Sequence, residues 1–343
     1  MFAMKAPSQE MYLIPVAFDH MLFQLSHRTR GKPVRFESEQ NLESAYLASL
    51  YEQIKTLGGP VCLDMRYISS AVDRGFQPFA EKGLPLFFCG LSASSENLRK
   101  RLNQDMGELI TYEHPDVLCV KQPVIEEIAN RRKFIEEVDA IYQVKTCELL
   151  KSVTYPKDED PVLLESSGVR VSSYVALKDL LLRMEDALFI LYRMAERIHS
   201  KYPFPQDRAS KILICCSKTG AAYTSLLSML LNMRAVYCVS VGPKFALDTA
   251  RLRNEIEAGQ DYIYVFDFLC MGAEAKILHA LVSCLGGNLE YGIGAANYLN
   301  IREPELQDSF LSKLETLTDI RSAVPDYQVY PVIAAQEETK HGD

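Results

Sequence analysis

Short apolar runs alternate with amphipathic segments along the first half of the chain. The runs MYLIPVAF, PVCLDMRYI and LPLFFCGL are typical of buried strands, and ESAYLASLYEQIKTLG, VDRGFQPFAEKG and SSENLRKRLNQDMG have helical spacing. Gly58, Gly83 and Gly107 close these three segments, as glycine often does at a helix end. Strands that alternate with helices predict an α/β sheet in this half.

A longer helical pattern and a charged stretch separate the two halves. Residues 124–153 carry apolar side chains near helical spacing. The stretch TYPKDEDP follows, and its two prolines and four charges are typical of a linker. A chain of 343 residues is long enough for two cores. We therefore predict a smaller N-terminal α/β domain over residues 1–153 and a second domain over residues 162–335.

The second half repeats the alternation after one long amphipathic segment. The wide apolar stripe of SSYVALKDLLLRMEDALFILYRMAERIHSKYPF predicts a packed helix. The runs KILICCS, AVYCVSV, YIYVFDF and NLEYGIGAA then predict strands, with AAYTSLLSMLLNM and EAKILHALVSCLGG as helices between them. Strands joined by single helices require parallel pairing and right-handed crossovers.

Composition indicates which partners and which cellular compartment are expected. The formal charge of −8 argues against broad binding to nucleic acid. Nine cysteines without a Cys-x-x-Cys pair indicate a reducing, cytoplasmic compartment. No apolar run is long enough to predict a membrane span. No two histidines have helical spacing, so we predict no metal site.

Two strand-to-helix turns in the second half carry candidate chemistry. In the first, Ser217, Lys218, Thr219 and Gly220 combine two hydroxyls, a cation and a flexible glycine before a helix. Backbone N–H groups, the helix dipole and the lysine can meet an anion together. The upstream glycine of a Walker loop is missing. An ordinary turn with a surface lysine is the alternative.

The second turn is YIYVFDFLCMGAEAKILHAL, in which a strand ends near Asp267 and a helix follows Gly272. This layout places backbone N–H groups at a helix N-terminus, where proteins hold phosphate. Asp267 is either a ligand-binding acid or a residue that caps the turn. Glu274 at the helix start is favoured by the dipole. It repels an incoming phosphate if its carboxylate points into the turn, and this repulsion largely disappears if it points to solvent.

The order of these segments, over about Ser172 to Ala296, resembles the type I phosphoribosyltransferases. ICCSKTG stands where that family keeps its pyrophosphate loop, VSVGPKFALDTARLRNEIEAGQ where it has a mobile catalytic loop, and YIYVFDFLCMGAEA where it has its donor signature. The resemblance implies that Asp267 contacts ribose, that the Ser217–Gly220 loop holds pyrophosphate, and that Lys244 meets developing charge. A charge-paired surface helix is the alternative for the segment that contains Lys244.

The signature departs from the family at the positions that bind. Phe268 stands where the family has a second acid, and residues 271–275 lack any hydroxyl. We therefore expect a phosphoribosyltransferase fold with a degraded donor site, which binds a nucleotide-like or phosphate-bearing ligand or a protein partner. An active phosphoribosyl or glycosyl transferase with altered donor recognition is the alternative, and only it implies Mg²⁺. A structural role in an assembly and a homodimer both stay open.

The first half resembles the STAS domains of anti-sigma-factor antagonists. The resemblance is carried by PVCLDMRYISSAVDRG and GLPLFFCGLSASSENLRKRL. In that family a strand that ends in Asp leads to a turn with a phosphorylatable serine, and Asp64, Ser69 and Ser70 stand near those places. The resemblance implies a partner-binding module, and it leaves open whether Ser69 or Ser70 is modified.

Overall fold

The computed structural model describes residues 1–5, 11–27, 34–36, 39–91, 95–107, 109–111, 117–120, 134–155, 161–164, 169–173, 175–238, 255–270, 272–298 and 310–331. Contacts divide the chain into one unit of residues 1–145 with 229–231 and a second of residues 146–228 with 232–343. The predicted domain bounds, 1–153 and 162–335, stay a prediction. No helix in the described ranges combines the length and the apolar character needed to cross a bilayer.

The first unit is an α/β structure around a six-stranded mixed sheet. Its strands are β1 (Met4–Lys5), β2 (Tyr12–Pro15), β3 (Gln40–Leu42), β4 (Val61–Asp64), β5 (Ile68–Ala71), β6 (Leu86–Cys89), β7 (Leu109–Thr111) and β8 (Leu118–Val120). Its helices are α1 (Val16–Ser26), α2 (Ser44–Ile54), α3 (Gln77–Glu81) and α4 (Glu96–Met106). The sheet order is β1-β2-β4-β6-β8-β7, and β3 pairs with β5 separately.

The centre of this sheet is parallel, as the alternating pattern predicts. Strands β2, β4 and β6 run parallel to one another, whereas β1 and β8 are antiparallel to their neighbours. The predicted strand MYLIPVAF is wrong in its second half, because helix α1 begins directly after Pro15. Val16, Ala17 and Phe18 are buried all the same, because the start of α1 packs inside the unit.

Helix α5 (Phe134–Ser152) lies within the predicted helix over 124–153. The stretch before it, 124–133, lies outside the described residues. The remaining strands are β9 (Val162–Leu164), β10 (Val169–Val171), β11 (Lys211–Cys215), β12 (Arg234–Tyr237), β13 (Asp261–Leu269), β14 (Asn288–Asn297), β15 (Leu314–Asp319) and β16 (Val329–Pro331). The remaining helices are α6 (Met184–Lys201), α7 (Pro205–Ala209), α8 (Lys218–Leu231), α9 (Ala273–Cys284) and α10 (Ile320–Ala323).

The long amphipathic segment of the second half is two helices, which corrects the single helix predicted for it. A 3₁₀ helix over Leu177–Leu182 ends at Arg183, whose φ of −116° and ψ of 84° are not helical. Helix α6 then begins at Met184. Leu182 and Met184 are 85% and 59% exposed, so the apolar stripe is interrupted where the axis breaks.

The second unit contains a five-stranded parallel sheet in the order β12-β11-β13-β14-β15. A separate antiparallel sheet joins β9, β10 and β16. Every residue from Tyr262 to Phe266 is buried, although side chains alternate between the two faces of a strand. Both faces of the parallel sheet are therefore covered, as in other α/β folds.

Numbered along the chain, the strands of this parallel sheet have the order 2-1-3-4-5. In doubly wound sheets of that order, ligands bind beyond the carboxyl ends of the first and third strands, because the connections there leave to opposite sides. Those two strands are β11 and β13. The turns that follow them are the two turns that the sequence marks as candidate sites.

Candidate functional site at the carboxyl ends of β11 and β13

Helix α8 begins with a side-chain cap. Ser217 is extended, and its Oγ accepts the Gly220 N–H at 2.8 Å. This bond satisfies one of the N–H groups that a helix start leaves without a partner. A Cβ at Gly220 would lie 2.8 Å from the Ser217 Oγ, so the tight cap requires glycine. The turn is thus a well-formed helix start whose first hydroxyl is already in use.

Lys218 and Thr219 complete this turn and differ in their roles. Lys218 is exposed, and within the described part of the chain it has no ion-pair partner. The Ser217 hydroxyl bonds to Asp267, and the Thr219 hydroxyl also acts to lower the pKa of that carboxyl. Only Lys218 keeps its side chain available to an external anion. The loop therefore brings together the predicted side chains of Ser217, Lys218 and Thr219. The hydroxyls of Ser217 and Thr219 lie toward Asp267, and the Lys218 side chain is exposed.

Asp267 lies near the end of β13 and is half-buried. Its Oδ1 accepts the Phe268 N–H at 3.0 Å and the Ser217 hydroxyl in a long bond of 3.5 Å. Burial raises the pKa of this carboxyl above its usual range, and the bonds from the backbone and the two hydroxyls reverse only part of that effect. No described cation pairs with Asp267, so its charge is stabilised by neutral donors alone.

Glu274 lies in the first turn of α9 and turns toward the sheet. The buried Tyr264 hydroxyl donates to its Oε1 at 2.9 Å. Burial raises the pKa of Glu274 to about 7, the hydrogen bond from Tyr264 acts to lower it, and the charge of Asp267 raises it further. Two acids therefore share the carboxyl end of the sheet, and one of them is partly protonated at neutral pH.

The start of α9 has no side-chain cap. Gly272 occupies the N-cap with a φ of 70°, in the left-handed region that favours glycine. Phe268 stands at the predicted position of a second acid, and its ring contacts Tyr327 edge-on at 5.8 Å. The turn after β13 thus has a glycine at the helix start, as the resemblance predicts. At the positions predicted to bind a ligand it has Phe268, which makes an aromatic contact, and Glu274.

Sequence reasoning missed Tyr264, which determines where the Glu274 carboxylate lies. The available signal was a tyrosine in the middle of an apolar strand, because a buried tyrosine hydroxyl requires a partner. The other predicted residue, Lys244, lies outside the described residues. Among the residues that are described, no group of three or more His, Cys, Asp or Glu side chains could hold a metal ion.

In the first unit, the residues highlighted by the STAS-like resemblance have structural partners. Ser69 and Ser70 lie inside strand β5, not in a turn before a helix, and both hydroxyls bond to Asn41. Asp64 is buried and accepts hydrogen bonds from Arg66 and Tyr142. The STAS-like assignment stays a prediction.

About half of the chain is similar to solved phosphoribosyltransferase structures. Orotate phosphoribosyltransferase from Aeropyrum pernix aligns at 14% identity and a TM-score of 0.38, over 52% of this chain and 97% of that one. Adenine phosphoribosyltransferase from Thermoanaerobacter pseudethanolicus aligns at 14% identity and a TM-score of 0.38, over 50% of this chain and 99% of that one. UMP synthase from Leishmania donovani aligns at 14% and 0.40, over 82% of this chain and 60% of that one.

No protein-family model matches the chain, and no curated protein matches it. The class of the second unit follows from its own strands, which form an α/β domain with five parallel strands in the order 2-1-3-4-5.

Proposed function

We propose that the second unit is a phosphoribosyltransferase-like domain with a degraded donor site. In this proposal it binds a nucleotide-like or phosphate-bearing ligand, or a protein partner, and does not transfer a phosphoribosyl group. The observation that carries the proposal is the Glu274 carboxyl, half-buried in the first turn of α9 and hydrogen-bonded to Tyr264.

The electrostatics of this helix start oppose a phosphate. A helix N-terminus favours an exposed anion by about 0.3–1 kcal/mol. A second negative charge 4 Å away opposes it by about 4 kcal/mol at an effective dielectric constant near 20. The repulsion is the larger effect whenever Glu274 is ionised. The field of Asp267 adds to it from the end of β13.

The sugar-binding chemistry is also reduced. Asp267 already accepts bonds from the Phe268 N–H and the Ser217 hydroxyl, and Phe268 offers no second carboxylate. A single carboxylate with its acceptors in use is a poor match for the two hydroxyls of a ribose. It also does not fit a protein-held Mg²⁺, which prefers several oxygen ligands in octahedral geometry.

Calorimetric titration of the full chain with phosphoribosyl pyrophosphate and magnesium at pH 8 tests the proposal. We expect binding no tighter than about 1 mM, and an affinity gain of about tenfold or more in Glu274→Gln, which removes the charge. Glu185→Gln is the matched control, because Glu185 also lies in the first turn of a helix, α6. Micromolar binding that Glu274→Gln leaves unchanged would contradict the proposal.

The exposed Lys218 favours the alternative of an active phosphoribosyl or glycosyl transferase with altered donor recognition. In that alternative Asp267 contacts the ribose, the Ser217–Gly220 loop holds the pyrophosphate, and Lys244 meets the developing charge. Release of pyrophosphate from the activated donor, at an ordinary turnover rate and abolished by Lys218→Ala, would establish it. We expect no such release from the unmodified chain.

For the first unit we propose a partner-binding role, and for the whole chain a cytoplasmic location. The STAS-like resemblance and the cysteine pattern support these two proposals. Mass spectrometry of protein purified from its native cell tests whether this role is regulated by phosphorylation, because it detects phosphate on Ser69 or Ser70. A homodimer is an outcome that sedimentation of the same sample distinguishes.

A further inference from the structure

A polar cavity lies in the first unit. Its volume is about 430 Å³, and it is open to solvent, because Asp73, Arg74, Gln77 and Gln104 are exposed. It is bounded on one side by the segment between β5 and α3 and on the other by the last two turns of α4. Every side chain that lines it is charged or an amide: Asp73, Arg74, Gln77, Arg101, Gln104 and Asp105.

Internal bonds hold the two sides of this cavity in place. Arg101 of α4 forms an ion pair with Asp73 of the opposite segment. Asp105 of α4 accepts the Phe76 N–H of that segment at 3.0 Å through its Oδ2. The Phe76 ring is fully buried against Phe79 and Phe88, so this connection is anchored in the core. The cavity is therefore shaped before any ligand arrives, which lowers the cost of binding.

Arg74 is the lining residue whose own structure calls for an explanation. Its φ of 57° lies in the left-handed region, which is unfavourable for a residue other than glycine. Its guanidinium is exposed, and no described residue forms an ion pair or hydrogen bond with it. A strained backbone that presents an unpaired cation at a cavity is the pattern found at ligand sites.

We propose that this cavity binds a small zwitterion of the amino-acid class. The ligand's carboxylate accepts forked bonds from Arg74, the geometry for which a guanidinium is suited. Its ammonium group donates to the carboxylate oxygens of Asp73 or Asp105 that the internal bonds leave open. The amides of Gln77 and Gln104 complete the wall, and the mostly polar lining favours a polar ligand side chain over an apolar one.

The charges of the cavity favour this class over a phosphate. Two carboxylates accompany the two guanidinium groups, so the lining is balanced. A doubly charged phosphate would lie near both Asp73 and Asp105 and would be repelled by each. A zwitterion places opposite charges against opposite charges and avoids that cost.

Calorimetric titration of the full chain with glycine, serine, aspartate and glutamine tests the proposal. We expect at least one of them to bind with a Kd of about 1 mM or below. Acetate and ethylammonium, which each carry half of the zwitterion, should bind at least about tenfold more weakly. Inorganic phosphate is the competing probe.

Two variants decide the role of the arginine. Arg74→Gly removes the guanidinium and suits the left-handed backbone, so the amino acid should bind at least about tenfold more weakly while the Tm stays the same or rises. Lys82→Ala removes another exposed cation of the first unit and should leave binding unchanged. The proposal is overturned if none of the four amino acids binds, if Arg74→Gly binds as the unmodified chain does, or if phosphate binds more tightly than the amino acids.

Discussion

Asp64 in the first unit and Asp267 in the second lie near the carboxyl ends of parallel strands, but in opposite surroundings. Asp64 is 2% exposed and accepts bonds from the Arg66 Nε at 2.9 Å and the Tyr142 hydroxyl at 2.6 Å. Burial acts to raise the pKa of Asp64, but the charge and bonds of Arg66, with the bond from Tyr142, outweigh it and lower the pKa. Asp267 has no described cation, and its pKa is raised.

The difference separates an acid neutralised by a buried ion pair from an acid whose charge is stabilised by neutral donors alone. The Asp64 carboxylate is neutralised by a guanidinium that also lies over the Tyr142 ring at 4.9 Å. Removing the Asp64 carboxylate deprives the Arg66 guanidinium of its buried ion-pair partner and the Tyr142 hydroxyl of this acceptor. The Asp267 charge is carried by neutral donors only, so a bound cation or hydroxyl can improve its surroundings. The first aspartate is therefore expected to govern stability and the second to govern binding.

The largest expected effect is the loss of stability in Asp64→Ala. Breaking one side of a buried ion pair costs about 3 kcal/mol or more in the free energy of unfolding. Urea unfolding followed by circular dichroism measures it, since the chain has no tryptophan to report by fluorescence. Hydrogen exchange of peptides from the first unit separates this loss from events in the second unit.

Two matched variants sharpen this result. Asp267→Asn keeps an oxygen for the Phe268 N–H and should change the free energy of unfolding by less than about 1 kcal/mol. Asp139→Ala removes the exposed second partner of Arg66, 3.5 Å away, and should cost less than about 0.5 kcal/mol. If Asp64→Ala unfolds no more easily than Asp139→Ala, the two aspartates do not differ in the way described.

The next effect is a change in pH dependence in Glu274→Gln. The folded pKa of Glu274 is about 7, above its ordinary value of 4.5, so the folded chain binds this proton more tightly than the unfolded chain. Linkage then makes stability fall as pH rises from about 4.5 to 7, and the loss remains above pH 7. Gln keeps an acceptor for Tyr264 without a charge.

We expect Glu274→Gln to be more stable than the unmodified chain by about 2 kcal/mol at pH 8 and about equal to it at pH 4.5. Urea unfolding across this pH range measures the difference. The control is Glu185→Gln, which makes the same substitution in the first turn of another helix, α6. A constant difference for Glu274→Gln would show that the Glu274 carboxyl titrates normally.

Four of the five strands of the parallel sheet in the second unit could be predicted from the sequence, because they occur in apolar runs. Strand β15, LETLTD, mixes polar and apolar residues and was not predicted. Strand β13 and helix α9 occur where YIYVFDF and EAKILHALVSCLGG predict them. Local pattern did not predict the break at Arg183, because both sides of it carry helical apolar spacing. It also did not predict that MYLIPVAF changes from strand to helix at Val16, since both elements there are buried.

The position of the candidate site could be predicted from the sequence, but the orientation of its side chains could not. Ser217, Gly220, Gly272 and Asp267 are turn residues between periodic elements, so local chemistry marks them. Whether Glu274 enters the turn or faces solvent depends on Tyr264, ten residues earlier on the strand. Such a pairing is fixed by how α9 lies on the sheet, which no single-sequence pattern encodes.

A smaller effect is expected for Gly220→Ala, which tests how tightly the turn after β11 is built. The added Cβ would lie 2.8 Å from the Ser217 Oγ, closer than side-chain contacts normally come. The cap must shift, and we expect a loss of about 1–2 kcal/mol in the free energy of unfolding. Gly58→Ala is the control, because nothing lies within 4 Å of its Cβ position. Equal stability of the two variants would mean that the cap tolerates displacement.

The smallest expected effect, about 1 kcal/mol, belongs to Ser217→Ala. The variant loses the cap on the Gly220 N–H and one of the hydroxyls that stabilise the Asp267 carboxylate. The pKa of Asp267 should therefore rise further, which ¹³C NMR of the labelled carboxyl measures directly. Ser210→Ala, an exposed serine bonded only to a carbonyl, should leave both quantities unchanged. A helix destabilised without any change in the Asp267 titration would mean that Ser217 caps α8 but contributes nothing to the surroundings of the unpaired acid.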